Sequence, residues 1–272
     1  MNRTSVLAAA VALAACIVSA RAQSQAPPAE QKNDIAIALV LAVDASGSVN
    51  NRRFELQKQG YAAAFRNPKV LNSIRSLMTQ SIAVTMMQWT GPRLHVVVVD
   101  WMLVKDEATI DALATAIEAA PRQLFGGGTS ISGAIDYSRL LLAQCPCNPA
   151  RRVIDVSGDG SNNSGRPVTQ ARDEAVRDGV GINGLPILSI EPFLDRYYYD
   201  NVIGGPGAFM IPAENYDTFA DAILKKLITE IAMDRGIRSI AIDPNSPDAS
   251  QTRPSSRASL THSAKFVSEE PR

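Results

Sequence analysis

The sequence has few histidines and cysteines and no net charge. Only two of its 272 residues are histidine, His95 and His262, so a catalytic triad or zinc centre built on histidine is not expected. Lys and Arg number 27, as do Asp and Glu, which argues against nucleic acid or an anionic membrane surface as the main partner. Hydrophobic residues make up 46% and charged residues 20%, a composition typical of a globular protein.

The N-terminus has the pattern of an export signal. Arg3 precedes an apolar run over residues 6–18, and the small-x-small sequence at 20–22 is typical of a signal peptidase site. The run is shorter than the roughly 20 residues that cross a bilayer, and no later segment reaches that length. Ordinary cleavage of residues 1–22 is expected, giving a periplasmic or secreted protein. The sequence ending at Cys16 also resembles a lipobox, which would place a lipid anchor on that cysteine.

Strands and helices alternate along the rest of the chain. This order predicts one α/β domain over residues 35–232, with a doubly wound, mostly parallel sheet flanked by helices. A polar linker, 23–34, precedes the domain, and a disordered tail, 233–272, follows it. The predicted strands are 35–43, 82–89, 94–99, 153–156 and 185–190, with a hairpin or tight turn at Gly91-Pro92. Helices are predicted near 52–66, 106–120, 131–142, 167–178 and 214–232.

Two cysteines would remain after cleavage, in the sequence Cys145-Pro146-Cys147. An exported compartment permits a disulfide, but a ring over one intervening residue is strained and constrains the unfolded chain very little. Two loop cysteines without a redox role are the expected reading.

Three loops carry oxygen-bearing side chains beside predicted strands. Asp44, Ser46 and Ser48 directly follow the first strand, Thr129 follows a run of three glycines, and Asp159 follows a later strand. Ligands of open α/β sheets bind at the carboxyl ends of strands. Hydroxyl and carboxylate oxygens suit Mg²⁺, with Mn²⁺ or Ca²⁺ also possible, rather than zinc or copper.

Each loop also has a purely structural interpretation. Asp and Ser are common in turns and at helix N-caps, and Asp159-Gly160 alone is an ordinary turn. The segment 126–130 is consistent with a flexible loop with a helix cap, or with an anion site at a helix N-terminus. It lacks the Gly-Lys-Ser/Thr ending of a phosphate-binding P-loop.

Taken together, the three loops resemble the von Willebrand factor type A (VWA) domain with its metal-ion-dependent adhesion site. The family pattern is Asp-x-Ser-x-Ser, then Thr, then Asp-Gly, and this chain has each part in order. Residues 154–160 and 204–209 are similar to an exported bacterial branch of that family, of unknown function. The resemblance implies that Ser46, Ser48 and Thr129 bind the ion through their hydroxyls. It also implies that Asp44 and Asp159 act largely through bound water.

The leading hypothesis is a non-enzymatic binding protein whose metal ion accepts a carboxylate from a partner protein. Asn162 and Asn163 flank the site, where they either contact the partner or shape the loop. The alternatives are a metal-dependent hydrolase of the cell envelope and a scaffold with an unused metal site. No Gly-x-Ser-x-Gly elbow supports a serine hydrolase, and a metal hydrolase normally has more carboxylates and a general base.

Overall fold

The apolar runs of the sequence form the strands of a five-stranded sheet within residues 32–233, the part of the chain that the computed structural model describes. The strands are β1 (Asn33–Asp44), β2 (Ile82–Trp89), β3 (His95–Val104), β4 (Cys147–Gly158) and β5 (Val180–Pro186). The helices are α1 (Asn51–Arg66), α2 (Pro68–Arg75), α3 (Glu107–Ala119), α4 (Ile131–Ala143), α5 (Val168–Arg177), α6 (Leu194–Tyr197) and α7 (Phe219–Ala232). A π-helical turn, Tyr198–Val202, follows α6.

The strand order is β3-β2-β1-β4-β5, so β1 is the central strand. Strands β2 and β4 pair with β1 in parallel, and β5 pairs with β4 in parallel. Only β3 runs antiparallel, as the second strand of the hairpin with β2. The prediction of a doubly wound, mostly parallel sheet is confirmed, as is the hairpin.

Strand β1 is apolar at nearly every position because helices cover both faces of the sheet. Leu39 and Leu41 belong to the core shared with α1, α2, α3 and α7. Val40 and Ala42 point to the opposite core, shared with α4 and α5. Since both faces are dry, the sheet leaves only its strand ends for polar chemistry.

Helix caps fix the loops that leave those strand ends. The Asn50 side chain accepts a hydrogen bond from Arg53 N at 2.9 Å and begins α1. Ser130 Oγ accepts from Gly133 N at 3.2 Å and begins α4. Because a cap satisfies an otherwise unpaired helical N–H, it also sets where each loop must end.

Several predicted elements have different bounds in the structure, and β3 continues to Val104 rather than ending at residue 99. Strand β5 covers 180–186 rather than 185–190. The strand accommodates the polar Asn183 because its side chain hydrogen-bonds Glu230 and the backbone N of Phe209. Helix α7 begins at Phe219 rather than at residue 214, since the Asn215 side chain closes a turn over 215–218. Strand β4 begins at Cys147, well before the predicted start.

Two further features were not predicted. Helix α2 is a short helix that starts on Pro68 behind an Asn67 cap. Cys145 and Cys147 are joined by a disulfide, with Cα atoms 5.2 Å apart, instead of remaining two loop cysteines.

Several predictions concern residues outside the described range. The signal peptide 1–22, the lipobox cysteine Cys16 and nearly all of the tail 233–272 lie there. Strand β1 starts at Asn33, so the last two residues of the predicted linker are part of the sheet. Among residues 32–233, no helix has the length and apolar character needed to cross a membrane.

Candidate metal site

Two buried carboxylates meet where the central strands end. Asp44 is the last residue of β1, and Asp159 directly follows β4. Because these strands are parallel neighbours, their carboxyl ends lie side by side, and Asp159 N donates to Asp44 Oδ2 at 3.4 Å. Both side chains are fully buried. The topology therefore brings two carboxylates together in the interior of the protein.

The loop after Asp44 brings two hydroxyl groups to the same point. Ser46 N donates to Asp44 Oδ1 at 2.7 Å, an Asx turn that folds the loop back over the strand end. Ser46 Oγ and Ser48 Oγ lie 3.2 Å apart, and Ser48 Oγ donates to Asp159 Oδ1 at 2.5 Å. Four of the five predicted ligands thus form one continuous hydrogen-bonded group.

Thr129, the fifth predicted ligand, is held beside this group by Asn163. Thr129 N donates to Asn163 Oδ1 at 2.8 Å, and Asn163 N donates to Thr129 O at 2.9 Å. A methyl group added at Gly160 would lie 3.6 Å from Thr129 Oγ1, so this hydroxyl faces the residue that follows Asp159. The structure therefore brings all three predicted loops together.

Asn162 holds the same loop from the other side. Its Oδ1 accepts from Ser132 N at 3.0 Å, in the first turn of α4, and its backbone N donates to Tyr197 Oη at 3.2 Å. Both asparagine side chains are thus engaged within the protein, where they shape the loops around the predicted ligands.

The carboxylate pair is electrostatically costly in the absence of a cation. Burial, and next the negative charge of Asp159, raise the pKa of Asp44 to about 7, although hydrogen bonds from Ser46 and Asp159 N act in the opposite direction. Arg53 Nη1 lies 3.5 Å from Asp159 Oδ2 and also donates to Ser48 O at 2.7 Å. Arg122, whose Nη2 donates to Ala45 O at 3.2 Å, places a second positive charge near Asp44.

The residues that support the site were not predicted from the sequence. Besides Arg53, Tyr216 Oη donates to Asp159 Oδ2 at 2.8 Å, and Gln57 Nε2 donates to Asp44 O at 3.1 Å. Arg53 and Gln57 are four residues apart on α1, directly after the Asp44 loop, and that spacing places them on one helix face. Tyr216 lies on a loop far from Asp159 in sequence, and no local sequence pattern indicates that it contacts the site.

The donor set fits a hard divalent ion. Octahedral Mg²⁺ binds oxygen at about 2.1 Å, so neighbouring ligand oxygens lie about 3 Å apart, close to the 3.2 Å between Ser46 Oγ and Ser48 Oγ. Within the described residues, no group of three or more His, Cys, Asp or Glu side chains is placed to hold a metal. The donor set at this point consists of hydroxyls beside the carboxylates of Asp44 and Asp159, with Glu191 Oε1 accepting from Ser161 N at 3.1 Å on the adjoining loop.

Comparison with known proteins identifies the family and the fold. Residues 34–235 match the family model described as "Protein of unknown function (DUF1194)". No curated protein matches the chain.

Several solved structures share the fold at low identity. Proximal thread matrix protein 1 from the mussel byssus, in a structure with a zinc-occupied MIDAS motif, has a TM-score of 0.52 at 13% identity over 73% of this chain and 46% of that one. A von Willebrand factor type A protein from Catenulispora acidiphila has a TM-score of 0.50 at 18% identity, over 74% of this chain and 43% of that one.

The vWF domain of the type V pili tip protein Mfa5 from Porphyromonas gingivalis has a TM-score of 0.50 at 11% identity, over 73% of this chain and 96% of that domain. This chain spans about half the length of the mussel protein. The fold is that of a VWA domain, as the sequence resemblance implies.

Proposed function

The chain belongs to the DUF1194 family. We propose that it is an exported binding protein that binds an acidic group of a partner protein through a divalent metal ion. The observation that carries this proposal is the convergence of Asp44, Ser46, Ser48 and Asp159 into one hydrogen-bonded group, with Thr129 beside it. The mussel protein with the same fold, whose MIDAS motif holds zinc, supports a divalent ion in a site of this kind.

The five residues divide into two roles in this proposal. Ser46, Ser48 and Thr129 offer neutral hydroxyl ligands, while Asp44 and Asp159 act largely through bound water and hold the hydroxyls in orientation. The bound ion, Mg²⁺ in our proposal with Mn²⁺ or Ca²⁺ as alternatives, supplies a Lewis acid that attracts a carboxylate. Few charged ligands leave that attraction strong, since little of the ion's charge is neutralised.

The surroundings of the site favour an acidic partner that also presents apolar groups. A cavity of about 320 Å³ beside Asp159 is lined by Arg52, Arg53 and Tyr216, with Asp217 as its acidic residue. Exposed apolar side chains stand on the neighbouring loops, among them Phe125 at 68% and Phe193 at 79% exposure. Large exposed apolar side chains near polar groups are a feature of interaction surfaces.

We further propose that the domain is not an enzyme. The sequence lacks a nucleophile elbow, and His95, the histidine in the described range, stacks on Tyr137 with ring centroids 4.7 Å apart. Hydrolysis by a metal centre also needs a general base. The two acids here are buried and hydrogen-bonded to the backbone and hydroxyls of the same loops.

Export rests on the sequence pattern of residues 1–22. We propose cleavage after Ala22 and release to the periplasm or the medium, with a lipid anchor at Cys16 as the alternative. Mass determination of the N-terminus after expression in a bacterial host with signal peptidases distinguishes the two.

An array of peptides tests the binding proposal without knowledge of the partner. Peptides that contain Asp or Glu are paired with counterparts that contain Asn or Gln, so each pair differs only in the carboxylate. The protein is applied in Mg²⁺ and in EDTA. We expect binding to acidic peptides in Mg²⁺ only, because the amide counterpart lacks the charge that the ion attracts.

Two variants make the array specific to the site. Ser46→Ala removes a proposed ligand, whereas Ser73→Ala removes a hydroxyl that hydrogen-bonds only Lys69 O within α2. We expect the first to abolish Mg²⁺-dependent binding and the second to retain it. Binding that persists in EDTA, or that does not distinguish acid from amide, would overturn the proposal.

A further inference from the structure

A second group of ionisable side chains is enclosed in the core between β4 and α7, away from the candidate metal site. Asp155, Lys226 and Glu230 have no solvent exposure. Lys226 Nζ lies 2.8 Å from Asp155 Oδ1 and 3.7 Å from Glu230 Oε2. Neither the fold nor the proposed binding function explains three ionisable groups in a dry core, where an unpaired charge is very costly.

Glu230 lies farther from Lys226 than Asp155 does and has closer partners of its own. Its Oε1 accepts from Arg151 Nη2 at 3.1 Å, and its Oε2 accepts from Asn183 Nδ2 at 2.5 Å. The Asn183 side chain is itself fixed, because its Oδ1 accepts from Phe209 N at 2.9 Å. Glu230 is therefore a firmly oriented carboxylate beside the Lys226–Asp155 pair.

The contact between Lys226 and Asp155 is close but lacks the geometry of a hydrogen bond. Within residues 32–233, neither Lys226 Nζ nor either carboxylate oxygen of Asp155 has a hydrogen-bond partner. The Phe209 ring lies 5.3 Å from Nζ. A buried ion pair without hydrogen bonds recovers little of its desolvation cost, so this pair is a poor salt bridge.

The same buried environment favours the uncharged form of Asp155. Burial raises the pKa of Asp155, although the charge of Lys226 acts in the opposite direction. Transfer of one proton from the Lys226 ammonium to the Asp155 carboxylate removes both charges from the core. It leaves a free amine, which is a nucleophile, next to a carboxylic acid.

We propose that Lys226 and Asp155 join in an intramolecular isopeptide bond. After the proton transfer, the Nζ lone pair attacks Asp155 Cγ, forming the C–N bond and a tetrahedral intermediate. The Glu230 carboxylate accepts a proton from Nζ and donates it to the departing hydroxyl. The C–O bond then breaks with its electron pair, and one water molecule leaves.

Formation of the isopeptide bond needs no other reactant. An ammonium and a carboxylate become one amide and one water, and no atom changes oxidation state. The amine of Lys226 and the carboxyl group of Asp155 are held 2.8 Å apart, so they react as if each were present at very high concentration. This proximity takes the place of the chemical activation that a carboxylic acid needs in ordinary amide synthesis. Loss of two buried charges and release of water favour the product. The bond would fasten α7 to the strand that leads to Asp159.

Mass spectrometry of the full chain tests the proposal. The denatured wild-type protein is expected to be lighter than its processed sequence by one water molecule. Trypsin should release residues 153–172 and 226–235 as one branched peptide, because the modified Lys226 is not cleaved and the bond Arg166-Pro167 resists trypsin. Asp155→Asn should form the same amide with loss of ammonia, so its final mass should equal that of the wild type.

Three further variants distinguish a loss of water caused by the isopeptide bond from a loss of water elsewhere in the chain. Lys226→Arg keeps the positive charge but lacks the amine, so its mass should be that of the intact sequence. Lys225→Arg changes the neighbouring, exposed lysine of the same helix and should retain the cross-link. Glu230→Gln keeps both reacting groups and should slow cross-linking in freshly folded protein.

Two results would overturn the proposal. The first is a wild-type protein at the full mass of its processed sequence, with residues 153–172 recovered as a linear peptide. The second is a loss of water that persists in Lys226→Arg. Neither result depends on metal or partner binding, so the isopeptide bond and the proposed function succeed or fail independently.

Discussion

Thr129 and Asn163 are joined by two reciprocal hydrogen bonds between the loop before α4 and the loop after β4. Thr129 N donates to the Asn163 side chain at 2.8 Å, and Asn163 N donates back to Thr129 O at 2.9 Å. The pair fixes the one proposed ligand that lies outside the hydrogen-bonded group of Asp44, Ser46, Ser48 and Asp159. Mutation of Asn163 therefore tests the effect of this pair on metal binding without removing a proposed ligand.

We expect Asn163→Ala to weaken Mg²⁺ binding by about 10-fold or more, the usual effect of removing a residue that orients a metal ligand. Asn163→Asp keeps the acceptor for Thr129 N and should retain more of the affinity. Isothermal titration with Mg²⁺ measures both. Equal affinities in wild type and Asn163→Ala would mean that Thr129 does not need this support.

Asp44 should make the metal-free domain sensitive to pH. Its folded pKa, about 7, lies above that of a free aspartic acid, so the charged form is destabilised by folding. Its effect on stability is therefore absent below about pH 4 and grows as the pH rises to about 7, to at most about 4 kcal/mol.

Urea unfolding of wild type and Asp44→Asn in EDTA at pH 5 and pH 8 measures this effect. The comparison between the two proteins cancels the titration of other groups. We expect the variant to gain stability relative to wild type between pH 5 and pH 8. A constant difference would show that Asp44 is not destabilised by its burial.

Gly60 allows α1 and α7 to approach closely. A methyl group at this position would lie 2.6 Å from Phe219 Cδ1. Replacing glycine by alanine inside a helix normally stabilises it by up to about 1 kcal/mol. Here the overlap reverses the sign, and we expect Gly60→Ala to destabilise the domain by about 1–3 kcal/mol.

The smaller side chain of Phe219→Leu should reduce that cost in a double mutant. Urea unfolding of the two single variants and the double variant gives the coupling between the positions. A more stable Gly60→Ala would show that the helices have room to separate.

The fold was predictable because its strands are continuous apolar runs. The length and composition of β1 and β2 mark them as strands buried on both faces, and the helices α1, α3 and α4 follow from their apolar spacing. Strand β5 was misplaced because Asn183 and two glycines interrupt its apolar pattern. Only tertiary contacts to Glu230 and Phe209 explain why a polar residue is tolerated there.

The convergence of the proposed ligands was predictable from the sequence, but the residues that support them were not. Asp44, Ser46 and Ser48 are adjacent in sequence, and the rule that parallel strands end together links them to Asp159. Tyr216 and Arg53 contact Asp159 through chain segments with no distinctive local pattern. The buried contact of Lys226 with Asp155 was equally invisible, since a lysine on an amphipathic helix is usually exposed.

The central claim is a divalent metal site at the ends of β1 and β4. Thermal unfolding of the full-length protein in EDTA and in rising Mg²⁺, up to millimolar concentration, tests it most directly, with Ser46→Ala and Ser73→Ala measured in parallel. Mg²⁺ at about 100 times its dissociation constant should stabilise the native state by about 2.7 kcal/mol. We predict a rise in Tm for the wild type and Ser73→Ala and none for Ser46→Ala; an unchanged Tm in the wild type, or an equal rise in Ser46→Ala, would contradict the account.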